Sequence, residues 1–263
     1  MISLIKKVSL TLLLTSVILA KRIIVLDPAA TEIIYALGAE ENIVAISHLE
    51  RSGIWPEEKT KLLPSVGSYV KPNMEKVVEL KPDLVIVSHH SLGVKEDLAK
   101  FNIEVWNMTA KSYADMYEYI EKIAKYVDKV EEAKKIVAEM KEGIEKIDKS
   151  KVKGKSALFV FSENPMMLFC KDTLASDTLN QLGMINLCTA DIQTPIINAE
   201  EILSKDPDYI FHSSRDKNFV DKNPLLKNTK AYKNGKVIET SQSKIMRSSP
   251  QIVQALQDLS QKF

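Results

Sequence analysis

The stretch "NMEKVVELKPDLVI", residues 73–86, returns 125 residues later as "NAEEILSKDPDYIF", residues 198–211. Each copy opens on Asn, carries Glu two places on, spaces its apolar residues as a helix does, and then reads Pro-Asp before a β-rich run. Asn is a helix cap, Pro stops the helix it follows, and the apolar run is a strand buried on both faces. A chain that spells this passage twice, in register and without a gap, points to a duplicated unit.

A second echo strengthens the first. Thr31-Glu32-x-Ile34-x-x-Leu37-Gly38 is matched by Ser176-Asp177-x-Leu179-x-x-Leu182-Gly183, one ahead of each copy. Thr31 and Glu32 suit the entrance of the first such helix, as hydroxyl cap and as acid at the positive dipole end. Around these, "RIIVL", "NIVAIS", "LVIVS" and "IEVWNM" read as strands alternating with helices, with "HLERSGIWPEEKTKLLPSVGSYVKP" as a loop. After residue 150 "SALFVFS", "MMLFC", "YIFHSS" and "KVIETS" resume the pattern, and a last helix begins near Pro250. Alternation of this kind means parallel strands with helices on both faces.

Between the two halves the period changes. Residues 112–147 hold helical spacing with no strand, and Asp128 is placed to cap the second of two pieces, whose 20 residues measure roughly 30 Å. The expected fold class is α/β, with two similar parallel-sheet sandwich lobes joined by a long backbone helix. The expected boundaries are a first lobe over 21–111, a helical region over 112–150 and a second lobe over 151–263.

Residues 1–20 stand apart. Lys6 and Lys7 precede an apolar run from Val8 to Ala20, the plan of an export signal, and the run is short for a membrane span. No cysteine lies near its end to accept a lipid. The expected product is a soluble periplasmic protein. With 36 basic against 35 acidic residues the chain has no excess charge to hold nucleic acid. Cys170 and Cys188 have no metal-type spacing, and read either as a disulfide or as two buried small side chains.

Taken together, "RIIVLDPAATEIIYALGA", "LPSVGSYVKPNMEKVVELKPDLVIV", "NAEEILSKDPDYI" and "NPLLKNTKAYKNGKVIE" resemble the helical-backbone periplasmic binding proteins of iron-siderophore, haem and cobalamin ABC importers. The resemblance runs over nearly the whole chain after residue 20. It implies a monomeric, non-enzymatic receptor that holds a metal chelate (ferric siderophore, haem or cobalamin) between its lobes, without a covalent cofactor. Its partners would be an ABC permease with its ATPase and, upstream, an outer-membrane receptor system. It also implies that Glu75 and Glu200 each dock into an Arg-rich pocket of the permease. Tyr69 falls where cobalamin receptors stack an aromatic on the corrin, whereas the position of the haem-ligating Tyr in haem receptors is Ser68 here.

Ligands of open α/β sheets sit at the carboxyl ends of strands. In the first half those ends offer Asp27, His48, Tyr69, His89 and His90, and imidazole and phenolate are ligands for transition metals. His48, His89, His90 and Tyr69 are therefore candidate metal ligands as well as cargo contacts. In the second half Arg215 and Arg247 suit anionic oxygens, with His212 and Lys171 as weaker candidates. Trp55 is expected at the crevice rim and Trp106 in the core. An alternative is direct capture of a bare transition ion or nickel chelate, with Asp27, Glu50 and Asp191 as further ligands. A zinc enzyme built on the three histidines is a third reading, although no HExxH or GxSxG occurs; nor is there a GxxxxGK[ST] to make the chain an ATPase. One long connecting helix resists bending, so closure on cargo is expected to be modest.

Overall fold

"RIIVL" is apolar on both sides because it becomes the middle strand of a sheet covered on both faces. The computed structural model describes residues 20–49, 52–213, 218–240 and 242–263, with the side chains of residues 242 and 243 left aside. The expected export signal lies outside the described residues, apart from Ala20, as do Glu50 and Arg215. Among the described residues no helix is long and apolar enough to cross a membrane.

The first lobe contains β1 (Ile23–Val25), α1 (Pro28–Ala36), β2 (Ile43–His48), α2 (Glu57–Thr60), β3 (Ser65–Ser68), α3 (Met74–Glu79), β4 (Leu84–Val87), α4 (Lys95–Ala99) and β5 (Glu104–Asn107). Its strand order is β3-β2-β1-β4-β5, and every neighbouring pair is parallel. Two helices follow, α5 (Tyr113–Tyr126) and α6 (Val130–Glu145). The second lobe contains β6 (Ser156–Glu163), β7 (Met166–Leu168), α7 (Leu174–Gln181), β8 (Ile185–Asn186), α8 (Ala199–Lys205), β9 (Tyr209–His212), α9 (Phe219–Lys222), α10 (Lys230–Lys233), β10 (Val237–Glu239), α11 (Gln242–Ile245) and α12 (Ile252–Ser260). Its order is β10-β9-β6-β7, with β8 beside the start of β6.

The duplicated passage has the same mechanics in both places. Asn73 Oδ1 accepts from Lys76 N at 3.0 Å and Asn198 Oδ1 from Glu201 N at 2.8 Å, so both caps are real. Lys81 (φ 45°) and Asp206 (φ 41°) both leave the helix through the left-handed region, again 125 residues apart. The Asp after each proline then clasps the neighbouring strand. Asp83 Oδ2 accepts from Arg22 N, just before β1, at 2.8 Å, and Asp208 Oδ2 accepts from Ser156 N, first in β6, at 2.9 Å.

Four expectations are corrected in detail. The second sheet is mixed rather than parallel, because β6 returns into β7 through a connection too short for a crossover, and the pair is antiparallel. Ser65–Ser68 is an edge strand where a loop was expected; its Ser and Gly content hides it from pattern reading. Asp27, rather than Thr31 or Glu32, caps α1, accepting from Ala29 N at 2.7 Å and Ala30 N at 3.3 Å. Asp128 does not cap α6; it adopts φ 57° and ends the preceding turn, which shortens the connecting helix to 16 residues, about 24 Å.

Alternate side chains of each strand enter different cores. Ile24, Leu26, Val85 and Val87 face the outer layer of the first lobe, and Leu158, Val160 and Ile210 that of the second. Ile23, Val25, Leu84 and Ile86 face inward and share one continuous core with α5, α6, Phe159 and Phe211. The junction between the lobes is therefore packed rather than a free linker. At its far end α6 meets α12 so closely that a Cβ on Gly143 would lie 2.6 Å from Val253 Cγ1.

Candidate functional site

The carboxyl ends of the first sheet carry the predicted residues, but not as one cluster. After β4 the chain turns at once into a 3-10 segment, His89–Val94, which leaves both imidazoles exposed. The His90 ring meets the half-buried Tyr69 ring edge-on at 5.4 Å and the His89 ring at 5.8 Å. Partial burial, with His89 beside it, holds His90 below the ordinary imidazole range. Tyr69, His90 and His89 thus form a row of rings across the mouth of the lobe.

His48 stands apart. It ends β2, exposed, and β1 lies between β2 and β4, so the strands carrying the histidines are two spacings apart, roughly 10 Å. Among the described residues no group of three or more His, Cys, Asp or Glu is placed to hold a metal ion. The expected set of His48, His89, His90 and Tyr69 is therefore only partly brought together: the rings of Tyr69, His90 and His89 lie in contact, and no metal-holding group of three that includes His48 is found among the described residues.

Asp27 is buried beneath this mouth. Burial pushes its carboxyl up to about 6, against the pull of the Ala29 and Ala30 amides and of Arg247. In the second lobe His212 is buried at the end of β9 and stacks on Phe219 at 4.5 Å. Its Nδ1 has no hydrogen-bond partner among the described residues, and burial holds the ring below the usual imidazole range. Lys171 pairs with Asp191 on the surface. Beside that pair Cys170 and Cys188 form a disulfide, their Cα atoms 4.8 Å apart.

Arg247 reaches across the lobes. Its NH1 donates to Glu32 Oε1 at 2.6 Å and to Gly53 O at 2.8 Å, and its NH2 to Ser52 Oγ at 3.3 Å. Glu32 also accepts from Ser249 Oγ at 2.5 Å and from Trp55 N at 3.1 Å. Next to this knot lies a cavity of about 330 Å³, walled by Trp55, Glu57, Lys244, Gln251 and Asp258 and bounded by Arg247. Trp55 lines it and is 42% exposed. Trp106 lies on edge strand β5, half-buried against Tyr126 with Lys122 over its face, rather than in the deep core.

Glu75 and Glu200 occupy the first turns of α3 and α8, both exposed, and neither hydrogen-bonds or ion-pairs among the described residues. Residues 23–243 match the family described as Periplasmic binding protein. The chain belongs to the periplasmic binding protein family. This periplasmic binding protein is 28% identical over 92% of its length to the uncharacterized ABC transporter substrate-binding lipoprotein YvrC of Bacillus subtilis, covering 80% of that chain. It is 27% identical to the vitamin B12-binding protein of Pectobacterium atrosepticum, over 91% of its own length and 87% of the relative's. Its fold superposes on a possible iron-binding periplasmic solute-binding protein of Staphylococcus epidermidis with a TM-score of 0.78 and 25% identity, covering 92% and 97% of the two chains.

Sequence reasoning missed the role of Glu32 and Ser249, which bond to each other across the lobes, and of Asp177, which bonds to the start of α5. The signal that would have found two of them is the echo between α1 and α7, where Glu32 and Asp177 hold the same place.

Proposed function

We propose that this periplasmic binding protein is the receptor of an ABC importer, capturing a metal chelate between its lobes and handing it to the permease without catalysing a reaction. A relative described as a vitamin B12-binding protein and a structural neighbour described as a possible iron-binding protein support a cargo of the cobalamin, haem or ferric-siderophore class. The observation that carries the reading is the pair Glu75 and Glu200. Every other matched feature of the duplicated passage, the Asn cap, the left-handed exit and the Asp clasp, serves the fold. Beyond the modest pull of each acid on its own helix N-terminus, neither side chain has a partner among the described residues, and one exposed acid per lobe is what a two-fold permease presenting basic pockets would meet.

Cargo enters over the Tyr69–His90–His89 row, with His48 at the flank and Arg247 reached through the cavity beside Trp55; Arg215, outside the described residues, remains a sequence-based candidate for anionic groups. An aromatic row suits the flat face of a corrin or porphyrin. Export through the N-terminal signal places capture in the periplasm. Absorbance titration against haem, cyanocobalamin, ferric siderophores and nickel-histidine tests the reading. One of the first three should bind at one equivalent with a shifted band and no turnover. Saturable binding of none of them, or steady conversion of any, would remove it.

A further inference from the structure

Glu32 in α1 and Asp177 in α7 hold matching places in the two echoing helices, and each bonds to a segment beyond its own lobe's sheet. Glu32 is 2% exposed and takes its donors from Arg247 and Ser249 of the second lobe as well as from Trp55 N of the first. Asp177 Oδ2 accepts from Tyr113 N at 2.8 Å, and the buried Tyr113 hydroxyl lies 3.3 Å from Thr178 Oγ1. Tyr113 opens α5, the helix that lies against the first sheet through Tyr126 and Trp106. Glu32 therefore ties the two lobes directly, and Asp177 ties the second lobe to the helix that leads out of the first.

We propose that Glu32 and Asp177 are positioning residues that preset the separation of the lobes and so the width of the crevice. Glu32, buried with two of its donors from the second lobe, cannot regain water unless the lobes part, and until then its charge is satisfied only at one spacing; the half-buried Asp177 adds one backbone bond that holds the second lobe to the connecting helix. Arg247 adds a second constraint. By holding Ser52 and Gly53 as well as Glu32, it fixes the loop that carries Trp55 to the cavity edge. A flat, rigid cargo is then met by a preset slot. The effect on capture rests on the receptor reading; the spacing itself does not.

The test is a distance measurement on cargo-free protein with nitroxides at Lys95→Cys and Lys233→Cys, exposed positions one to each lobe. Cys170 and Cys188 are paired and take no label. The unsubstituted pair should give one narrow distance distribution. Glu32→Gln and Asp177→Asn, which keep shape and lose charge, should each at least double its width, and the double variant should widen it further. Arg247→Lys, which keeps the charge on Glu32, should recover part of the narrow distribution that Arg247→Met loses. Folded variants that melt earlier yet keep the original distribution would show ordinary stabilising bonds and overturn the proposal. Because no cargo is present, a failed cargo titration leaves this result untouched.

Discussion

Glu32 and Arg247, 215 residues apart in sequence, meet at 2.6 Å across the junction of the two lobes, with side chains 2% and 14% exposed. A buried pair of this kind contributes little over a matched apolar pair, but breaking it leaves one charge stranded. Arg247→Ala is expected to lower unfolding stability by about 3–5 kcal/mol. Glu32→Leu combined with Arg247→Met should recover much of that loss. Urea denaturation of the three proteins checks both, and a loss near zero for Arg247→Ala would mean that water already reaches Glu32.

Asp27 sets a pH dependence. Its carboxyl is raised from the ordinary 3.8 to about 6 in the folded chain, so the fold binds the proton more tightly than the unfolded chain does. The stability this brings is complete below about pH 4 and is lost as pH rises through 6, a change of about 3 kcal/mol. Asp27→Asn keeps a capping oxygen without the titration. The stability of the variant relative to the original should therefore climb by that amount between pH 4 and pH 7.5. A flat difference across the range would show that Asp27 remains ionised when buried.

The disulfide closes a loop with a sequence separation of 18, and that loop leads towards α8 and Glu200. Loops of this size are restrained in the unfolded chain to the extent of about 3 kcal/mol. Replacing Cys170 and Cys188 together by Ala should lower stability by roughly that amount while leaving first-lobe melting in proteolysis unchanged. Equal loosening of both lobes would argue that they unfold as one unit.

Charge reversal at Glu75 and Glu200 is expected to abolish uptake in cells and spare cargo capture by the purified protein. Each single reversal should slow uptake at least several-fold, since both lobes must dock. Normal uptake by the double variant would refute the docking assignment.

Tyr69→Ala should weaken cargo by tenfold or more with the melting temperature unchanged, because a half-buried mouth residue contributes little to the core. Unaltered affinity would take Tyr69 out of the site.

Much of this architecture is legible in the residues. Asn73 and Asn198 announce helix starts, Pro82 and Pro207 their ends, and the doubly apolar runs the central strands, because each of these signals acts over a few residues. Strand order is not written locally. Nothing in the "SHH" of residues 88–90 or in His48 says that β1 will lie between the strands that carry them, and nothing in "SVGSY" says that Tyr69 will reach the His90 ring. Glu32 was misread as a dipole partner for the same reason; its true partners come from the other end of the chain. Arg247 and Lys171 looked free because a sequence shows charge without showing what neutralises it.

The two aspartate clasps each close within one half: residue 83 on residue 22, and residue 208 on residue 156. Neither fastening needs a residue of the other sheet, whereas the inner faces of both sheets need one another to stay dry; local closure and mutual cover are thus divided between different side chains of the same strands.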